Sequence, residues 1–138
     1  MTEIPEGDKK RKILIVDDEE QFGLMVKKNL ERAGNFDVRV ETQGSKGLAA
    51  AREFSPDLIL LDMLMPDLSG PEVARLLWKD PLLKEVPILF LTAVVRKGET
   101  ETFTEIPGSK EPFHAKPCLA KPVRTAELIS AIEKVIAE

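Results

Sequence analysis

Three stretches of the chain are apolar at nearly every position and end abruptly in polar or turn-forming residues. Ile13-Leu14-Ile15-Val16 runs into Asp17-Asp18-Glu19-Glu20, Leu58-Ile59-Leu60-Leu61 into Asp62, and Val86-Pro87-Ile88-Leu89-Phe90-Leu91 into Thr92-Ala93. Short unbroken apolar runs bounded by turn signals predict strands buried on both faces. Phe36 to Glu41 instead alternates Phe36, Val38 and Val40 with polar residues, which predicts a further strand. Helical spacing fills the gaps. Phe22, Met25, Val26, Leu30 and Ala33 recur at that spacing up to Gly34, which takes the C′ position. The alanine-rich segment Gly44 to Phe54 predicts a short helix stopped by Ser55-Pro56. Pro71 to Lys79 predicts a helix with Val73, Leu76 and Leu77 inward, closed by Asp80-Pro81. Thr125 to Ala137 carries Leu128, Ile129, Ile132, Val135 and Ile136 at the spacing of a long final helix.

The order is βαβαβαβ, then an interval, a short apolar segment and a helix. Such alternation implies an α/β fold, a doubly wound parallel sheet with helices on both faces. The interval from Val94 to Pro112 departs from the pattern. A crossover helix belongs there, yet Gly98, Pro107, Gly108 and Pro112 interrupt it. Thr100 to Ile106 is closer to alternating β-favouring residues than to a helix, so a short, irregular or missing fourth helix is expected.

Length and composition change this picture little. The 138 residues suit a single domain with its own core, residues 11–138, preceded by a charged, loose tail over residues 1–10. A hydrophobic fraction of 43% and a charged fraction of 32% are ordinary for a globular protein. The net charge of −4 gives no footprint for direct nucleic-acid binding. No apolar run approaches the ~20 residues of a membrane span, and the polar first residues do not form a signal peptide. The single cysteine, Cys118, cannot form an internal disulfide, so a reducing, cytoplasmic setting is expected.

The charged residues at the strand ends carry the chemistry. If the first and third strands are neighbours, Asp17 and Asp18 meet Asp62, and three carboxylates converge at the carboxyl edge of the sheet, where open α/β folds place their ligands. Like charges so close raise one another's pKa unless a cation neutralises them, and oxygen ligands suit Mg²⁺. Thr92 adds a hydroxyl at the same edge and Lys121, before Pro122, adds a cation. An acidic trio, a hydroxyl and a lysine form a coherent site for a phosphoryl group.

The chain resembles the receiver domain of two-component response regulators. The residues that carry the resemblance are Ile13-Leu14-Ile15-Val16-Asp17-Asp18-Glu19, Asp62-Met63-Leu64-Met65-Pro66 with Gly70, Leu91-Thr92-Ala93, and Lys121-Pro122. The separations fit as well: 44 positions from Asp18 to Asp62 and 30 from Asp62 to Thr92. The resemblance implies a flavodoxin-like (βα)5 sandwich with a five-stranded parallel sheet in the order 2-1-3-4-5. It implies that Asp62 is the phosphoacceptor, taking its phosphoryl group from a histidine kinase or phosphotransfer protein. Asp18, Asp62 and the backbone carbonyl of Leu64 would ligate Mg²⁺, with Asp17 assisting through water. Lys121, Thr92 and Ala93 would bind the phosphoryl group, and the Thr92 hydroxyl would report its arrival. The bond before Pro122 would be cis. An unidentified downstream protein is implied, homodimer formation is left open, and with no output domain in the sequence given, a single-domain regulator and a piece of a longer chain are both open readings.

Some positions depart from the family pattern. The switch aromatic normally stands three residues before the lysine, where this chain has Cys118. Thr92 to Lys121 spans 29 positions, a few more than usual, with the surplus in the irregular interval. A second Lys-Pro, Lys116-Pro117, has Phe113 three residues before it. Lys121 is preferred because Val123 to Leu128 leads straight into the final helix, leaving Pro117 in a fifth strand at the sheet edge. Leu64 and Val94 stand two after Asp62 and Thr92, where apolar groups cannot orient a hydrolytic water, so a long-lived phosphorylated form is expected. Leu64 also replaces the second aspartate of Mg²⁺-dependent aspartyl-phosphate phosphatases, which makes that rival unlike this chain. An interaction module that has lost phosphorylation is the other alternative, which the full acidic set argues against. Cys118 reads as a small buried hydrophobe, His114 as a surface residue, and Trp78 as a cap on the third helix against Pro81 or Leu82.

Overall fold

The computed structural model describes residues 10–92, 102–105 and 112–137. The first strand, β1 (Arg11–Val16), leads into α1 (Glu20–Ala33), β2 (Phe36–Glu41), a single 3-10 turn over Gly44–Lys46, α2 (Gly47–Phe54), β3 (Leu58–Asp62), α3 (Gly70–Lys79) and β4 (Ile88–Thr92). A short strand, β5 (Thr102–Glu105), precedes β6 (Pro112–Ala120) and the final helix, α4 (Thr125–Ala137). The sheet order is β2-β1-β3-β4-β6-β5. Its first five members are parallel, so the predicted 2-1-3-4-5 arrangement holds with β6 as the fifth parallel strand.

β5 is an addition to the five expected strands. It pairs antiparallel with the first part of β6, Thr102 opposite Pro117 and Glu105 opposite Pro112. Pro117 therefore does not lie on an open edge as the sequence suggested. β6 is shared lengthwise instead: 112–117 pair with β5, and Cys118 to Ala120 pair with Phe90 to Thr92 of β4. Neither partner requires both edges of the same residues, which leaves room for a strand proline that has no N–H to donate. Of the interval expected to lack a regular helix, Thr102–Glu105 forms this strand, Pro112 begins β6, and the remainder lies outside the described residues, as does most of the predicted tail.

The buried strands alternate cleanly between two cores, as a sheet covered on both faces requires. Leu14, Val16, Ile59, Leu61, Ile88 and Phe90 face Ala50 and Ala51 of α2 and Val73, Ala74 and Leu77 of α3. Ile13, Ile15, Leu58, Leu60, Leu89 and Leu91 face Val26 and Leu30 of α1 and Leu128 and Ile132 of α4. Leu76, expected inward, is 43% exposed, and of the apolar stripe of α1 Met25 (48%) and Ala33 are exposed as well. Met25 and Leu76 each sit beside a better-placed neighbour, Val26 or Leu77, and a helix stripe need not hold both. Trp78 is partly buried and packs on the α2–α3 core.

Local chemistry sets the helix ends. Ser69 and Glu72 form a reciprocal capping box at α3, with a proline in its first turn. α1 stops at Gly34, whose φ of 122° suits a residue without Cβ.

Candidate functional site

The parallel register places three strand ends together. Val16 of β1 lies opposite Leu61 of β3, and Asp62 lies opposite Leu91 of β4. The residues next in line, Asp17 and Asp62, are consequently neighbours at the carboxyl edge. Carboxylate oxygens of Asp17, Asp18 and Asp62 all lie within 4.8 Å of one another. Asp17 is fully buried and Asp62 is 5% exposed, whereas Asp18 faces solvent.

Lys121 enters from the end of β6, and its bond to Pro122 is cis. Its ammonium lies 2.6 Å from Asp17 Oδ2, 2.9 Å from Glu19 Oε1 and 3.6 Å from Asp62 Oδ1. The Phe22 ring lies beneath it, 4.5 Å from Nζ to the ring centroid. Lys121 thus meets the acidic cluster, while the side chain of the alternative, Lys116, lies outside the described residues. Thr92 ends β4 opposite Ala120 of β6, one residue before Lys121. Ala93 lies outside the described residues, as do the side chains of Thr92, Lys116 and Cys118.

Electrostatics explain why these groups need one another. Burial, then the Asp17 charge, raise the Asp62 pKa from 3.8 to about 7; the Lys121 charge opposes them. A hydrogen bond with the Asp18 carboxyl adds to the rise, and the Leu64 backbone N–H, which donates to Asp62, lowers it. Burial also raises the Asp17 pKa against the pull of Lys121 and the Glu19 N–H, which donates to Asp17 Oδ1 at 2.9 Å. For Lys121, burial works against the charge, but Asp17 and Glu19 outweigh it, so its pKa is raised.

One lysine does not balance three converging acids. Asp17 Oδ2 is buried and has no hydrogen-bond partner; its 2.6 Å approach to Lys121 is an ion pair of poor hydrogen-bond geometry. An all-oxygen set that includes this buried lone pair fits a hard divalent cation such as Mg²⁺.

The loop after β3 is held by its own contacts. Gly70 N–H donates to the Met63 carbonyl at 3.0 Å, folding the loop back on the strand end. Asp67 accepts from the backbone N–H groups of Ser45 and Gly44, at 3.0 and 3.2 Å. The Ser45 bond foremost holds the Asp67 pKa at about 2. Leu64 is 64% exposed beside the acidic cluster, and its partner in the sequence argument, Val94, lies outside the described residues. Sequence reasoning missed Glu19 and Phe22 as partners of Lys121; the pattern Glu19-x-x-Phe22 resembles any helix start, and no local signal ties it to a residue a hundred positions away.

A family model described as the response regulator receiver domain matches residues 13–133. The chain is 30% identical over 128 residues to the polar-differentiation response regulator DivK of Brucella ovis, covering 93% of this chain and 98% of DivK. It is 35% identical over 126 residues to PhoP of Bacillus subtilis, an alkaline phosphatase synthesis transcriptional regulatory protein, covering 91% of this chain. The match takes in 48% of PhoP, so the chain spans about half the length of that relative. Among solved structures, the chemotaxis protein CheY4 of Vibrio cholerae superposes with a TM-score of 0.73 at 26% identity, covering 91% of this chain and 98% of CheY4.

Proposed function

The chain belongs to the response regulator receiver domain family, and from that membership we propose that it is a phosphoacceptor whose reacting group is the Asp62 carboxylate. The phosphodonor is a phosphohistidine of a histidine kinase or phosphotransfer protein. An Asp62 carboxylate oxygen attacks phosphorus, an O–P bond forms, and the P–N bond to the donor imidazole breaks with its electron pair left on nitrogen. The convergence of Asp17, Asp18 and Asp62 within 4.8 Å around the buried end of β3 is the observation that carries this reading. Asp17, Asp18, Asp62 and the Leu64 carbonyl would hold Mg²⁺, which supplies positive charge to the transferring phosphoryl oxygens.

The protein's own groups do the remaining work. Asp17, fixed by the Glu19 N–H and the Lys121 ammonium, keeps its carboxylate turned toward Asp62. Lys121, 3.6 Å from Asp62 Oδ1, is within a small side-chain movement of a phosphoryl oxygen on that residue. Thr92 and Ala93 follow the family in meeting the other oxygens. The added charge of about −1.5 to −2 is what the switch reads, changing contacts with a downstream protein.

Incubation with acetyl phosphate and Mg²⁺, followed by intact-mass measurement, tests the reading. A mass gain of one phosphoryl group is expected for the wild type and none for Asp62→Ala. Equal labelling of both proteins would refute Asp62 as the acceptor, and no labelling with no beryllofluoride binding would favour an interaction module without phosphorylation. The decay of the label in the same buffer measures the effect of the apolar Leu64; loss within seconds would contradict a long-lived acyl phosphate.

A further inference from the structure

Lys121 is pulled in two directions, and the two carboxylates that hold it differ in how tightly they are themselves held. Asp17 is fully buried and fastened by the Glu19 N–H, so it has nowhere else to go. Glu19 reaches the same ammonium, accepting its hydrogen bond at 2.9 Å, with a side chain 64% exposed to water. That side chain makes no capping bond to α1, and among the described residues its polar partner is Lys121. Asp62 Oδ1, at 3.6 Å, is outside hydrogen-bond length. In the resting arrangement the ammonium is hydrogen-bonded to Glu19 and ion-paired with Asp17, and the Phe22 ring supports it from one side.

We infer that Glu19 is a displaceable counter-ion for Lys121: its carboxylate competes with the phosphoryl group on Asp62 for the same ammonium and is released to solvent when Asp62 is phosphorylated. The inference rests on the phosphoacceptor reading and deepens it by naming a positioning residue. With Nζ hydrogen-bonded to Glu19 and 3.6 Å from Asp62 Oδ1, the ammonium must shift toward Asp62 to meet a new anionic oxygen there, and that shift draws it off Glu19. Breaking the bond to a solvated carboxylate is the least costly exchange, because exposed ion pairs are weak and the freed group is hydrated at once. Parting the ion pair with Asp17 would cost more, because Asp17 is fully buried and the ammonium is nearly so. Phe22 contributes by limiting where the ammonium can move, so that the exchange carries it toward Asp62 rather than into solvent.

The test is calorimetric titration of beryllofluoride in saturating Mg²⁺ on the full chain. Glu19→Gln keeps the shape and removes the competing charge; it is expected to bind about two- to fivefold more tightly than wild type. The gain is expected to shrink in about 1 M salt, where the exposed pair is already screened. Glu20→Gln, a neighbouring exposed acid with no contact to Lys121, controls for general charge removal and is expected to leave the affinity unchanged. In a Lys121→Ala background Glu19→Gln is expected to have no effect. A readout independent of the phosphoryl site is the Lys121 ammonium ¹⁵N resonance in the ligand-free protein, which is expected to shift in Glu19→Gln and not in Glu20→Gln.

If the wild type binds beryllofluoride and Glu19→Gln binds it equally or less tightly, the inference is overturned and the phosphoacceptor reading stands. Equal gains in Glu19→Gln and Glu20→Gln, or a gain that persists without Lys121, would also overturn it. If the wild type binds none, the phosphoacceptor reading itself fails and the inference falls with it.

Discussion

At Asp62, burial and the charge of Asp17 both favour the protonated carboxyl, and its pKa stands at about 7. A carboxyl whose folded pKa lies above its unfolded value takes up a proton on folding. In the absence of divalent metal this group therefore opposes folding fully above about pH 7, and the penalty fades as the pH falls toward 4. Asp67 has the opposite sign: with its pKa held at about 2, it adds stability above about pH 4 that is lost as the pH falls through 2. Thermal melts in a chelator should show the wild type most stable in mildly acidic buffer and declining toward pH 8. Asp62→Asn should remove much of that decline and be the more stable protein at pH 8, by on the order of 1 kcal/mol. Parallel profiles for the two proteins would contradict this account of Asp62. Where the carboxylates fall was legible in the sequence, because each directly follows an apolar strand. How strongly they perturb one another was not, since that depends on the distances between three separate chain segments.

The element on which the site depends most is the turn from β3 into α3. A Cβ placed on Gly70 would lie 2.2 Å from the Asp62 carbonyl oxygen and 2.9 Å from Met63 Cα. Both are backbone atoms, and the same turn is pinned by the Gly70–Met63 hydrogen bond, the Ser69–Glu72 capping box and the Asp67 bonds to the loop after β2. Gly70→Ala must therefore displace the peptide that carries Asp62. A loss of about 2 kcal/mol or more in urea unfolding is expected, together with weaker beryllofluoride binding. Wild-type stability and affinity in this variant would show that the turn has slack the contacts do not reveal. The outer strand β2 shows another element-level device. Glu31 accepts from the Val38 N–H at 3.0 Å and Lys27 donates to the Val38 carbonyl at 2.6 Å, so α1 covers part of the sheet's open edge. The capping box is visible in the sequence as Ser69-x-x-Glu72; the clamp on Val38 is not, because it pairs a helix face with a strand edge.

Across the whole molecule, the central strand β3 gives alternate residues to two cores, and every one of its five residues is buried. Leu60 lies wholly within the α1–α4 core, so Leu60→Ala should cost about 2–5 kcal/mol. That is a large part of the ~5–15 kcal/mol typical of a domain, and a loss below about 1 kcal/mol in denaturant titration would mean the two cores are less dependent on this strand than their packing indicates. The apolar runs and their helical or alternating spacing were enough to establish the βα order, the parallel sheet and the positions of Asp17, Asp18, Asp62 and Lys121 near strand ends. These are local properties: a side chain's partition between water and core repeats with the period of its own element. The tertiary structure alone decided that Met25 and Leu76 face outward, that a short antiparallel strand covers part of β6, and that Lys121 divides itself among Asp17, Glu19 and Asp62 at 2.6, 2.9 and 3.6 Å. Those outcomes depend on the register of four strands and the packing of helices far apart in the chain, and differences of about one ångström that separate an ion pair from a near miss have no counterpart in residue order.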